Sequence, residues 1–219
     1  MTGPTTTTGP RDPAGGDAAG RLRELLVLVR TVGYTRRGEP FALSSGGTSH
    51  DYVDLRRAVA RGRDLRLAAT AVLDAVAATG VEFDAIGGMT MGADPVSHAA
   101  ALLGDRAWFS VRKAEKSHGS RRRIEGAELG PGARVVVFED TVTTGRSLLE
   151  ALDVVVESGA QVALACTLLD RGDTGAALVA ARGVEYRALF TYRDLGIAPI
   201  ASAAGTGPAS AAPGERAPA

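Results

Sequence analysis

The sequence predicts an α/β protein in which a central parallel sheet is flanked by helices. Two patterns carry that expectation. Apolar runs of strand length alternate with stretches of helical spacing along most of the 219 residues, and the runs themselves, Val135 to Phe138 above all, are continuously hydrophobic instead of alternating. A strand covered by helices on both faces has no polar side to show, which is the situation of parallel sheets. Composition agrees: with 45% hydrophobic residues the chain can bury one substantial core, and neither an internal repeat nor a second-domain linker interrupts it.

The elements follow in order. Met1 to Gly16 is rich in Thr, Gly and Pro, and Ala201 to Ala219 in Ala, Gly, Pro and Ser. Neither composition offsets the entropy of folding, so residues 1–17 and 200–219 are expected as disordered tails around a single folded unit at 18–199. A helix is expected from about Ala18 to Val32, then an irregular segment and a short strand near Tyr52 to Leu55. Leu65, Ala68, Ala69, Val72, Leu73 and Val76 recur at helical spacing and predict a long helix from about Gly62 to Ala78. Strands are expected at Ala85 to Gly87, Ala107 to Val111, Arg134 to Phe138 and Val162 to Leu169, with helices at Pro95 to Leu103 and Ser147 to Ser158 between them. A helix near Thr174 to Ala181 and a strand near Tyr186 to Phe190 complete the series.

Charge and composition narrow the function. Lys plus Arg and Asp plus Glu balance at 25 each, which gives no reason to expect nucleic-acid or membrane affinity. No apolar run reaches the length of a membrane span and the N-terminus lacks a signal-peptide profile, so a cytoplasmic protein is expected. Cys166 is the single cysteine, which excludes an intrachain disulfide and a cysteine-rich zinc site. Among Val162, Ala163, Leu164 and Leu168 it reads as a buried strand thiol.

The chemistry concentrates in Arg134 to Leu149, RVVVFEDTVTTGRSLL. A buried strand runs into Glu139 and Asp140, and Leu148, Leu149, Leu152, Val155 and Val156 then start a helix, which leaves Thr141, Val142, Thr143, Thr144 and Gly145 as a strand-to-helix turn. Backbone N–H groups at a helix start lack partners and carry partial positive charge, so such a turn holds a phosphate without lysine. Thr141, Thr143, Thr144 and Ser147 add hydroxyls, and the vicinal acids can accept from two sugar hydroxyls or help hold a divalent cation. Taken alone the turn is also a good helix cap. No GxxxxGK[ST] and no GxGxxG after a strand occurs, which argues against the common nucleotide loops.

This stretch resembles the phosphoribosyl-diphosphate signature of the type I phosphoribosyltransferases. The base is suggested by Phe41 to Arg56, FALSSGGTSHDYVDLR, whose FxLxSGxxSxxYxD pattern resembles that of the orotate phosphoribosyltransferases. The resemblance runs from about Leu22 to Leu195 and implies the type I fold, with a small N-terminal hood at about 18–60 closing over a core at about 61–199. Gly87 to Pro95, GGMTMGADP, resembles the family's diphosphate-contacting loop, with Gly92, Ala93 and Asp94 also facing the base pocket; from the residues alone, Asp94 could cap the following helix. Val111 to Gly126 carries Arg112, Lys113, Lys116, His118, Arg121, Arg122 and Arg123. Such a run is usually a solvated surface, yet its RK, K and HG spacing resembles the family's mobile catalytic loop, which reaches the neighbouring subunit's site and implies a homodimer. Arg171 matches the arginine that contacts orotate in the family.

The implied reaction is magnesium (Mg2+) dependent transfer of the 5-phosphoribosyl group from phosphoribosyl diphosphate to orotate, giving orotidine 5′-phosphate and diphosphate in de novo pyrimidine (UMP) synthesis. Lys113, Lys116, His118 and Asp140 are the implied catalytic residues. Substrate contacts fall to Arg112, Glu139, Thr141, Val142, Thr143, Thr144, Gly145, Ser147, Arg171, Ser45 and Gly46, with magnesium held mainly through substrate and water. The chain departs from the family where relatives often carry lysine or arginine in the hood turn, here Ser44 and Gly47, or lysine at the diphosphate turn, here Gly92. It also has Arg146 and Arg121 where glycine is frequent. Two other readings stay open: a phosphoribosyltransferase for another base, and a non-catalytic regulator of this fold, although no helix-turn-helix module is added.

Overall fold

The computed structural model describes residues 17–43, 47–114, 123–172 and 175–200. Most of both expected tails lies outside these residues. Helix α1 (Ala18–Leu28) starts at Asp17, whose carboxylate accepts from the Gly20 N–H, and runs on through a π-helical turn at Val29–Gly33. Leu25 and Val29 on its inner side are fully buried.

Next comes an antiparallel hairpin, β1 (Tyr34–Ala42) with β2 (Thr48–Val53), which pairs Tyr34 with Val53 and Phe41 with Ser49. Strand β1 corrects the expectation of an irregular segment. Its residues, YTRRGEPFA, are mostly exposed and contain Gly38 and Pro40. It is a strand because β2 pairs with it, not because a face of it is buried, so the hydrophobic pattern is silent there. A short helix, α2 (Leu55–Ala58), follows with Asp54 as its cap, the carboxylate accepting from Arg57 N–H at 3.1 Å.

The core is a sheet of six strands in the order β5-β4-β3-β6-β7-β8, comprising β3 (Ala85–Met89), β4 (Ala107–Val111), β5 (Ile124–Gly126), β6 (Arg134–Val142), β7 (Gln161–Asp170) and β8 (Tyr186–Thr191). All neighbours are parallel except β5, which pairs antiparallel with β4. On one face α1, α3 (Gly62–Ala77) and α4 (Asp94–Gly104) pack against Ile86, Val136, Phe138, Leu164 and Leu168. On the other, α5 (Arg146–Glu157) and α6 (Gly175–Ala180) cover Val135, Val137 and Ala165. Alternate residues of VVVF therefore enter opposite cores, and all four are fully buried. Cys166 is buried in the first of these cores, and its thiol is pushed up to about 12 by burial.

Two details of topology position the site. The chain leaves β3 for β4 on one side and returns to β6 on the other, so the strand order reverses between β3 and β6, where open α/β sheets bind ligands beyond their carboxyl ends. Strand β6 also runs longer than expected: Thr141 pairs with Leu169 and Val142 with Asp170. The connecting turn is thereby shortened to Thr143, Thr144 and Gly145, and Thr141 and Val142 belong to the strand. After β8 and the one-turn helix α7 (Tyr192–Leu195), the chain comes back to the end of β7, where Ile200 N–H donates to Arg171 O at 2.8 Å. Among the described residues no helix is long and apolar enough to cross a membrane.

Candidate active site

A cavity of about 1090 Å3 opens at the carboxyl ends of β3, β4, β6 and β7, with the hairpin forming its far wall. Of the residues singled out in the sequence, Arg112, Lys113, Glu139, Asp140, Thr141, Thr143, Ser147 and Arg171 line it. A recess of about 120 Å3 adjoins it, lined by Glu139, Thr141, Val142, Thr143, Thr144, Gly145, Arg146 and Ser147. Ser44, Ser45, Gly46, Lys116, His118 and Arg121 lie outside the described residues.

The recess is built by the start of α5. Gly145 is its N-cap at φ 78°, a left-handed conformation that a side chain strains, whereas Arg146 is already the first helical residue. Arginine at 146 therefore keeps ordinary backbone angles, and its exposed side chain stands at the mouth of the recess. Val142 is buried in the core under α5, so it offers the recess only main chain.

The two acids differ. Glu139 is buried, its Oε2 has no hydrogen-bond partner, and its carboxyl is pushed up to about 9, first by burial and then by Asp140 alongside, with Lys113 pulling the other way. Asp140 is less enclosed; burial raises its pKa too, while the Thr141 N–H that it accepts at 2.7 Å and the Arg56 guanidinium lower it. Burial raises both carboxyls, and a cation or hydroxyl donor beside them would favour their ionised form. Gly92 of the β3–α4 turn makes room for it, since a Cβ there would sit 2.8 Å from Asp140 Oδ1.

On the hood side, Asp51 accepts from Tyr34 OH at 2.9 Å and from Arg36 Nη1 at 3.1 Å. Phe41 and Tyr52 meet edge to face at 5.5 Å, and Arg37 lies over both rings. Both aromatics line the cavity. Facing them is Arg171, only 5% exposed, whose Nε and Nη2 are buried without a hydrogen-bond partner. Burial lowers its pKa, and Asp51 and Tyr34 offset part of that. The carboxylate of its neighbour Asp170 accepts from Gly172 N–H and Tyr186 OH, each at 2.9 Å.

The described ends of the basic segment divide into two roles. Arg112 reaches Glu125 at 3.6 Å, and Lys113 lines the cavity beside it. Arg123 instead donates to the Arg112 carbonyl at 2.9 and 2.8 Å and pairs with Glu150 of α5, which latches the base of the segment to the core.

Sequence reasoning missed Arg56 and a cluster on the hairpin. Arg56, at the start of α2, lines the cavity and acts on Asp140, though it was visible only as the end of a strand pattern. The Tyr34, Arg36 and Asp51 cluster depends on the hairpin register. Asp94, which could have capped α4, does not cap it. Ala93 is the N-cap, and Asp94 accepts from Thr90 Oγ1 at 2.6 Å and Ser110 Oγ at 2.7 Å, both residues of the cavity lining. Among the described residues no group of three or more His, Cys, Asp and Glu side chains could hold a metal ion.

No protein-family model matches the chain. Among curated proteins it is 48% identical over 162 residues to the orotate phosphoribosyltransferase of Streptomyces avermitilis, across 71% of this chain and 87% of that relative. To the orotate phosphoribosyltransferase of Corynebacterium glutamicum it is 40% identical over 183 residues, across 83% and 95%. Among solved structures, the orotate phosphoribosyltransferase of Mycobacterium tuberculosis H37Rv in complex with 5-phospho-α-D-ribosyl 1-diphosphate superposes with a TM-score of 0.66 at 36% identity, covering 81% of this chain and 99% of that one.

Proposed function

The chain belongs to the orotate phosphoribosyltransferase family and is a pentosyltransferase, and from that premise we propose how its cavity carries the phosphoribosyl group from phosphoribosyl diphosphate to orotate in pyrimidine synthesis. The observation that carries the proposal is the convergence on one cavity of a helix-start recess, an acid pair and a buried, unpartnered guanidinium. These match the 5′-phosphate, the ribose hydroxyls and an anionic planar base.

In this reading the hydroxyls of Thr141, Thr143, Thr144 and Ser147, together with the main chain from Val142 to Gly145, grip the 5′-phosphate. Asp140, with Glu139 beside it, accepts from the ribose hydroxyls. Arg171 presents two free donors to orotate, while Ser45 and Gly46 of the hood turn close over the ring. A ring nitrogen of orotate then forms a bond to the anomeric carbon as the bond from that carbon to the diphosphate oxygen breaks, and the nitrogen's proton is lost. Arg112, Lys113, Lys116 and His118 close on the departing diphosphate, whose growing charge is greatest in the transition state.

The residues fit magnesium as a companion of the substrate. Glu139 Oε2 is a buried oxygen without a partner, and the acid pair's raised pKa values mark a place where a cation restores ionisation. With too few protein oxygens for a cage, the ion would take its remaining ligands from diphosphate, ribose and water, and when bound it would neutralise part of the leaving group. A homodimer, in which Lys116 and His118 serve the neighbouring site, and a cytoplasmic setting belong to the same proposal.

Diphosphate release from phosphoribosyl diphosphate and orotate with magnesium tests it. Turnover with orotate and not with a panel of purines and other pyrimidines is the expected result; tight binding of phosphoribosyl diphosphate without turnover on any base would replace it with a regulator.

A further inference from the structure

The turn from Thr90 to Gly92 lies between β3 and α4 at the floor of the cavity, and it carries no cationic side chain. It can meet a diphosphate only with main chain, and main chain serves only if it is held in place. Its ends are tied by backbone bonds, Thr90 N–H to Val111 O at 2.9 Å and Ala93 N–H to Met89 O at 3.2 Å. What lies between is fixed through Asp94. One carboxylate oxygen takes the Thr90 hydroxyl at 2.6 Å and the other takes the Ser110 hydroxyl of β4 at 2.7 Å. Behind Ser110 stands His98, whose Nε2 is 3.1 Å from that hydroxyl and 4.0 Å from Asp94, with its ring 4.4 Å from that of Trp108.

An acid beside a diphosphate repels it unless its charge is spent elsewhere. Here both oxygens are occupied by hydroxyl donors, so the carboxylate's charge is engaged within the turn that it organises. We propose that Asp94 is the positioning residue of the diphosphate turn: it clamps Thr90 to β4 through Ser110 so that a turn without lysine presents a fixed surface to the diphosphate of the sugar substrate. The inference rests on the reading of this cavity as a phosphoribosyl diphosphate site. An acid that merely steadied the start of α4 would be a matter of fold stability and would affect both substrates alike.

The single tryptophan provides the measurement, because Trp108 lines the same cavity, is 43% exposed and touches His98. Asp94→Ala, Asp94→Asn and Ser110→Ala are compared with the wild-type chain by steady-state kinetics in each substrate and by Trp108 fluorescence titration with magnesium phosphoribosyl diphosphate. Asp94→Ala is expected to raise the KM and the fluorescence Kd for phosphoribosyl diphosphate by about fivefold or more while the KM for orotate stays within about twofold. Asp94→Asn, which keeps an acceptor for one hydroxyl and offers a donor to the other, should recover most of the loss, and Ser110→Ala should fall between. Unchanged affinity for phosphoribosyl diphosphate in folded Asp94→Ala, equal losses for both substrates, or an Asn variant no better than Ala would overturn the proposal. If Asp94→Ala does not fold, Asp94→Asn and Ser110→Ala decide, and unchanged affinity in both overturns it. A wild-type chain that binds phosphoribosyl diphosphate but turns over no base refutes the catalytic reading alone, and the fluorescence comparison still decides the role of Asp94. Failure of the wild-type chain to bind phosphoribosyl diphosphate overturns both.

Discussion

The two ends of the cavity are made differently. The phosphate recess grows out of β6 and α5, where Val135 to Phe138 are fully buried, and between Glu139 and Arg146 its polar groups are main chain and hydroxyls. The base end grows out of an exposed hairpin facing Arg171, a buried guanidinium with two unsatisfied donors. Main chain and hydroxyls cost little to expose; a buried guanidinium with unsatisfied donors is costly even with Asp51 and Tyr34 offsetting part of its burial, and an anion reduces that cost. In the proposed reading, grip is therefore general at one end and discrimination is concentrated at the other.

Breaking the base end should give the largest effect. Arg171→Gln is expected to lower kcat/KM for orotate roughly a hundredfold or more, because charge-assisted, bidentate contacts are lost from a dry site. Its affinity for phosphoribosyl diphosphate, measured by Trp108 fluorescence, should stay near wild type; a matching loss there would mean that the two ends are not separate. Lys113→Ala should come next, with kcat down roughly a hundredfold and binding of orotidine 5′-phosphate weakened far less. Equal losses in both would remove its transition-state role.

Glu139 tests the middle of the cavity through pH. A carboxyl raised from 4.5 to about 9 in the folded chain binds its proton more tightly there than when unfolded, so folding loses stability as pH climbs between those values. Glu139→Gln should thus raise the Tm of the ligand-free protein at pH 8 and lose that advantage towards pH 4.5. Magnesium phosphoribosyl diphosphate should also release protons on binding to the wild type near pH 8, seen by calorimetry in buffers of different ionisation enthalpy, and this release should shrink in the variant. Smallest is Arg56→Gln, expected to raise the KM for phosphoribosyl diphosphate roughly threefold, since a half-exposed guanidinium is screened by water. No change would confine that arginine to its weak contact with Asp54.

The same contrast explains what could be read from the sequence. Burial on both faces forces β6 to be continuously apolar, and the helix that follows declares itself by spacing, so the place of the recess between them was legible. Strand β1 was not, because an exposed strand bearing Arg, Gly, Glu and Pro leaves no hydrophobic period. Strand β5 has three residues, too few for any pattern. Where β6 ended was also obscure: Glu139 and Asp140 look like the beginning of a loop, yet Thr141 and Val142 continue the ladder to β7. Asp94 was misread because its partners, Thr90 and Ser110, meet it only once β3 and β4 lie side by side. Short-range chemistry is written in neighbouring letters; a contact between strands is written in the topology.

The bond from Ile200 N–H to the carbonyl of Arg171 has a practical consequence. The C-terminal side of the chain is fastened to the backbone of Arg171, the residue proposed to contact the base. A fusion partner or affinity handle attached after residue 200 would pull on that fastening, and a truncation ending at Pro199 would cut it, so altered base preference could be mistaken for a property of the enzyme. Handles belong at the other end, ahead of Asp17, where the chain enters the fold through an exposed helix cap.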